Sequence, residues 1–386
     1  MDIRFVRENE TERIKEIWRY CFNDKENFVE WYFKKKYNAS NTIAVCEDGV
    51  PVANLQLLPY RVKFRGREMD VSYLVGAATL PEAREKGYMD ALLKEAIKVL
   101  HERGHCINLL LPFQYAFYRR YGWETCYYHL SYELEITDVR PLAKKYGILR
   151  PFCFEKDIDA VSTVYNAFIK DRHGCILRSK KDWEGILTDH SMEGGKVYLL
   201  FNEQGMPEGY ILYFLQSPVF KIHELGYSNR DAYRGLLWFA ASHSAQAQKI
   251  SWKAPSDDLA YIFIAEPRRQ IVHQPFVMVR VIDVQKVLSI ICGTAGQVDE
   301  FIMEIEDPIA EWNSGKFAVR SGQAERIEEG EANLKCSINT FSQLAMGFIS
   351  VEQAYQAGVL QAADEDSIAK AGKFFTKCNN FINDYY

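Results

Sequence analysis

The stretch "VSYLVGAATLPEAREKGYMDALLKEA", residues 71–96, constrains the fold more than any other part of the chain. An apolar run over 71–79 passes through a basic, glycine-containing turn into a segment whose apolar members, Leu92, Leu93, Ala96, Ile97 and Leu100, recur at helical spacing. Gly104 in "HERGH" can end that helix, and "CINLLLPF" then reads as a buried strand. Strand, helix and strand in this order make a crossover unit. The strands over 71–79 and 107–112 should therefore run parallel, with a ligand at their carboxyl ends.

The segments before this unit predict what packs around it. In "ERIKEIWRYCF", Ile14, Ile17, Trp18, Cys21 and Phe22 share one helical face. "NTIAVCEDGVPVANLQLL" reads as two strands joined at Asp48-Gly49, and "YRVKFRGREMDVSYLVGAATL" repeats the design with a turn at Arg65-Gly66. The fold class is α/β (α+β), with mixed, largely antiparallel sheets. A weak internal repeat follows: Gly49-Val50-Pro51 has a counterpart in Gly205-Met206-Pro207, and Tyr118 and Tyr261 each stand six residues after a proline. After about residue 285 the texture changes to that of a small α+β domain. The expected division is 1–137, 138–286 and 287–386.

With 386 residues, 48% of them hydrophobic, the chain can bury a large core. A net charge of −5 supplies no overall basic field for nucleic acid or an anionic membrane. The charged start "MDIRFVRENETERIK" does not resemble a secretory signal, and no long uncharged apolar run suggests a membrane span, so a cytoplasmic location is expected. Nine scattered cysteines without a Cys-x-x-Cys pair read as reduced and structural, and no metal site is expected.

The turn at 84–87 carries the chemistry. A glycine-containing helix start presents unpaired N–H groups and partial positive charge, which suits an anion. Arg84, Lys86 and Gly87 fit a pyrophosphate cradle, whereas neither a Walker loop nor a paired-glycine dinucleotide fingerprint is present. "ATLPEAREKGYM" resembles motif A of the GNAT acyltransferase superfamily, in which Arg/Gln-x-x-Gly-x-Gly/Ala opens a helix that holds the pyrophosphate of acetyl-CoA. Arg84, Gly87 and Met89 fill the three defined positions, Met89 replacing a small residue. The resemblance implies acetyl-CoA as co-substrate, bound by Ala77, Ala78 and Thr79 on the strand and by Arg84, Glu85, Lys86, Gly87, Tyr88 and Met89 in the turn.

"PFQYAFYRRYGWE" is similar to the Phe-Tyr-x-x-x-Gly-Phe segment that follows in GNAT enzymes, with Phe117, Tyr118, Gly122 and Trp123 on the pattern. There the tyrosine protonates the departing thiolate, a role suited to a phenol of pKa near 10 beside a thiol of pKa about 8.5. Two tandem GNAT-like halves, the second lacking the Arg-x-x-Gly turn, followed by a sterol carrier protein 2-like domain, resemble the Eis (enhanced intracellular survival) family of N-acetyltransferases. That likeness implies a homo-oligomer, often a hexamer, and makes the terminal carboxylate, here that of Tyr386, the general base. A terminal carboxylate of pKa about 3.5 needs burial or a bridging water for that task, or serves to anchor the cation.

Trp18, Phe22, Trp31, Tyr32 and Phe33, interleaved with Asp24, Glu26 and Glu30, are candidates for the mouth of a cationic acceptor site, with Asp24, Glu30 and Trp31 as the substrate set. Cys106 and Cys126 stand in no nucleophile turn and read as structural. The expected activity is acetyl transfer to a primary amine of an aminoglycoside, a polyamine or a lysine side chain. Transfer of a longer acyl chain and a non-catalytic lipid-binding module are the alternatives.

Overall fold

The computed structural model describes residues 2–294, 299–320 and 322–385. Their contacts divide the chain into two compact units that do not follow chain order. The first holds the residues up to Cys126, then Phe276–Cys378 and the end from Asp384; the second holds Tyr127–Pro275 and Asn379–Asn383.

In the first unit, strands β1 (Asp2–Phe5), β2 (Thr42–Glu47), β3 (Val50–Phe64), β4 (Arg67–Thr79), β5 (Ile107–Leu110) and β6 (Glu124–Thr125) are joined by helices α1 (Thr11–Cys21), α2 (Glu26–Lys35), α3 (Tyr88–Glu102) and α4 (Tyr115–Arg119). The hairpin turns fall where the sequence placed them. Asp48-Gly49 and Arg65-Gly66 all have positive φ, the geometry of a tight two-residue turn that matches strand twist. The expected stripe of α3, Leu92, Leu93, Ala96, Ile97 and Leu100, is fully buried against Leu55, Leu57 and Leu110 of the sheet. On α1, Ile14, Ile17 and Trp18 are buried, while Cys21 and Phe22 lie at the edge of the core. β4 and β5 pair in parallel, as a crossover requires.

The second unit repeats this plan with β7 (Tyr128–Glu135), β8 (Ile148–Pro151), β9 (Lys196–Phe201), β10 (Pro207–Gln216), β11 (Val219–Tyr227), β12 (Lys249–Pro255) and β13 (Ile271–Pro275). Its helices are α5 (Ile158–Phe168), α6 (Lys180–Met192), α7 (Arg230–Ala241) and α8 (Ala260–Phe263). Strands β8 to β12 stand in the order of β1 to β5, with β11 and β12 again parallel.

The sixth places of the two sheets are exchanged along the chain. In the first sheet, β14 (Met278–Val281) lies between β5 and β6, although it follows the second half in sequence. In the second sheet the same place, between β12 and β13, is taken by β7, which follows the first half.

A third, five-stranded sheet belongs to the first unit: β15 (Phe301–Glu306), β16 (Gly315–Arg320), β17 (Gln323–Ile327), β18 (Leu334–Ser337) and β19 (Leu360–Ala362). It carries α9 (Val284–Cys292), α10 (Ile338–Ala345), α11 (Val351–Gln356) and α12 (Glu365–Phe374). Two buried arginines tie it to the first sheet. Arg280 on β14 pairs with Asp307 at 2.6 Å, both side chains wholly buried. Arg65, in the β3–β4 turn, donates to the carbonyls of Leu344 and Ala345, satisfying the end of α10 where cations are favoured.

Candidate active site

The site begins as a flaw in the first sheet. β4 and β5 pair only from Ser72–Leu74 to Asn108–Leu110, and beyond that the two strands separate. On the other edge of β4 the register with β3 shifts opposite Asn54 and Gln56, a bulge centred on Gly76 at φ +60. Only glycine serves there: a Cβ would come within 2.7 Å of the Trp18 ring. Asn54 donates to the Gly76 carbonyl at 3.0 Å and so holds the bulge open.

The opening is a cavity of about 110 Å³ lined by Gly76, Ala77, Tyr73, Trp18, Phe113 and Tyr118 among others. Tyr118 is 3% exposed and boxed by edge-to-face contacts with Phe113, Phe117 and Trp123. Its hydroxyl makes no hydrogen bond among the described residues. Burial pushes its pKa well above the ordinary tyrosine value, so the phenol stays protonated through neutral pH.

The turn lies at the carboxyl end of β4. Glu85 and Gly87 both have positive φ. Gly87 caps α3 with no side chain, so the amides of the first helical turn have no partner of their own. Arg84 donates to the Thr79 carbonyl at 3.4 Å. Lys86 reaches Glu47 at 2.8 Å, and the Tyr88 hydroxyl donates to the same carboxylate. Met89 turns toward the hydrophobic core rather than across the turn. Ala78 is buried in the β3–β4 ladder, and Thr79 ends the strand.

The acidic candidates separate. Asp24 accepts from the Trp18 indole at 3.0 Å, and Trp18 lines the cavity. Glu30 is engaged by Lys15 and by Arg19, and Glu26 by Arg19. Trp31 packs on Phe28 and is not among the cavity-lining residues. Tyr386 lies outside the described residues. Cys106 and Cys126 are buried thiols whose pKa burial raises, which disfavours the nucleophilic thiolate.

The structure adds Tyr73 and Phe113 to the site, together with the bulge itself. The signal for the bulge was a glycine inside an apolar strand run, "LVGAAT". Tyr73 donates to the Asp384 carbonyl at 3.3 Å, and Phe276 packs on Tyr385 at 5.1 Å between ring centres.

A crossover helix with an open, uncapped glycine start, beside splayed parallel strands and a buried phenol, defines an acyl-CoA-dependent transferase fold. Residues 2–126 match the model of an acetyltransferase (GNAT) domain, 174–281 match another acetyltransferase (GNAT) domain model, and 284–383 match a sterol carrier protein domain. The chain belongs to the GNAT acetyltransferases, with two such domains followed by a sterol carrier domain.

Solved structures share the fold from end to end. A conserved protein of unknown function from Enterococcus faecalis, a probable N-acyltransferase, superposes with a TM-score of 0.89 at 24% identity over 100% of this chain and 99% of its own. A GCN5-related N-acetyltransferase from Anabaena variabilis gives 0.87 at 21% identity, covering 100% of both chains. Eis1 from Mycobacterium abscessus gives 0.82 at 16% identity, again over 100% of both. No curated protein matches the sequence. Among the described residues no helix is long and apolar enough to cross a membrane.

Proposed function

We propose that the chain transfers an acetyl group from acetyl-CoA to a primary amine of a cationic small molecule, aminoglycoside- or polyamine-like, or of a lysine side chain. The observation that carries this reading is Tyr118, a lining residue of the cavity that opens beside Gly76 and Ala77, whose hydroxyl is protonated and has no hydrogen-bond partner among the described residues. The amides of Glu85–Met89, with Arg84 and Lys86, would hold the diphosphate. Ala77, Ala78 and Thr79 would align the pantetheine arm.

Transfer needs no covalent enzyme intermediate. The amine nitrogen attacks the thioester carbonyl carbon, and backbone N–H groups of the bulged strand stabilise the oxyanion. As the C–S bond breaks, Tyr118 gives its proton to the sulfur. The proton lost by the amine goes to a base, which we assign to the carboxylate of Tyr386, directly or through water. In support, the cavity-lining Tyr73 bonds the carbonyl of Asp384, two residues before Tyr386. Asp24, which accepts from the cavity-lining Trp18, would attract the cation; Glu30, already engaged by Lys15 and Arg19, and Trp31 would contribute less. A cavity of about 110 Å³ suits a two-carbon acyl group better than a long chain. We further assign the protein to the cytoplasm as a homo-oligomer, hexameric by its resemblance to Eis proteins; native mass determination tests the assembly.

The test is thiol release over a panel of amines. Tyr118→Phe should lower kcat on the order of 10²-fold or more. A variant extended by several residues past Tyr386 should lose turnover while still binding acetyl-CoA; full turnover in it would remove the terminal carboxylate from the reaction.

A further inference from the structure

We propose that the second unit holds a ligand site of its own, for a compact aromatic anion of nucleotide size, at the carboxyl ends of β11 and β12. This goes beyond acetyl transfer and uses none of the residues assigned to it.

A cavity of about 770 Å³ lies there, within the range of small-molecule sites. Its position follows from topology. β11 and β12 pair in parallel only from Val219–Lys221 to Lys249–Ser251 and then part, leaving a gap where crossover units receive ligands. The inner part of that gap is already filled by the chain's own residues: Asn383 donates to Glu224 at 2.7 Å, and the Ile382 carbonyl meets His129 at 2.7 Å. No extended pantetheine-like arm can thread inward past them, so an occupant must be compact and stay in the outer chamber.

The chamber walls state its chemistry. Phe168, Tyr227, Tyr233 and Phe263 supply aromatic faces, and Phe263 and Leu259 are 60% and 55% exposed at its rim, an apolar surface that a bound ring would cover. Three arginines face three aspartates, but the balance is uneven. Asp258 is buried under the hydroxyls of Tyr132 and Tyr233, at 2.6 and 3.3 Å, so its carboxylate is occupied by these donors. Asp257 has only a 3.4 Å contact with Arg172, and Asp171 is exposed. Arg172 sits over the Phe168 ring, donates to the Phe168 carbonyl and lies 3.4 Å from Asp257, with only its Nε unpartnered, whereas Arg230 makes no ion pair or hydrogen bond among the described residues. Arg234 is committed to the Leu142 carbonyl at 2.9 Å. The Arg230 guanidinium is thus available for an anionic group, a geometry suited to phosphate. The start of α7 adds little, because Asn229 already caps it.

The experiment is calorimetric titration of the full chain carrying Gly87→Glu, which closes the α3 turn, with ADP and separately with adenosine. One ADP should bind per chain, with adenosine at least tenfold weaker. Adding R230E or Phe263→Ala, both at exposed positions, should weaken ADP at least tenfold. The proposal is overturned if the Gly87→Glu protein binds no ADP, if both second substitutions leave its affinity unchanged, or if adenosine binds as tightly as ADP.

Discussion

The two GNAT domains build the same crossover and finish it differently. In the first, α3 starts at Gly87, left-handed and without a side-chain cap; in the second, α7 starts behind Asn229, whose carboxamide accepts from the Ala232 amide. The first helix end is left wanting an anion and the second is satisfied by the chain itself. The aromatic residues that follow the fifth strand of each sheet diverge likewise: Tyr118 is 3% exposed in a cavity, while its counterpart Tyr261 is 39% exposed. The same design thus carries a buried phenol beside an uncapped helix start in one copy and a chamber with different walls in the other.

The largest effect that can break this contrast is the paired tyrosine test. Tyr118→Phe should cost on the order of 10²-fold in kcat, whereas Tyr261→Phe should leave thiol release unchanged; equal losses would dissolve the distinction. Next come the helix starts. Gly87→Ala forces a side chain into φ +77, a strain of roughly 1–2 kcal/mol, and should raise the KM for acetyl-CoA several-fold with little effect on kcat. Asn229→Ala should lower stability by about 1 kcal/mol without moving that KM, as thermal melts beside kinetics would show.

Acid should weaken the second unit. Burial holds His129 and His223 at about 4, below the ordinary 6.5. Between these values the unfolded chain binds protons that the folded chain refuses, so stability is full above pH 6.5 and falls as pH drops toward 4. Denaturant melts at pH 7.5 and 5 should show the loss, and replacing both histidines by glutamine should shrink it, the buried His190 retaining part. The smallest effect concerns Glu47, which engages Lys86 and Tyr88 in the first unit. Glu47→Gln should free both and lower the KM for acetyl-CoA by a few-fold; an unchanged or higher KM would mean that Glu47 orients Lys86 rather than competing for it.

Much of the first half was legible because its signals are local. The α3 stripe, the Asp48-Gly49 and Arg65-Gly66 turns and the parallel pairing of β4 with β5 all follow from periodicity and turn chemistry. The exchange of β7 and β14 was not legible, since pairing between Met278 and Leu110 depends on contacts far apart in sequence and leaves no local pattern. At the site, Asp24 and Glu30 looked equivalent as acids among aromatics. The fold distinguishes them through α1, whose Lys15 and Arg19 engage Glu30 while its Trp18 indole donates to Asp24. Gly76 stood in plain view, yet its meaning needed Trp18 from α1 to show what a side chain would strike.

The most direct measurement is a crystal structure of the full chain with CoA bound. The diphosphate should lie against the amides of Glu85–Met89 in the first unit, with the sulfur within hydrogen-bond reach of the Tyr118 hydroxyl. A diphosphate bound away from α3, or a sulfur remote from Tyr118, would contradict the assignment of acetyl transfer to the first GNAT domain.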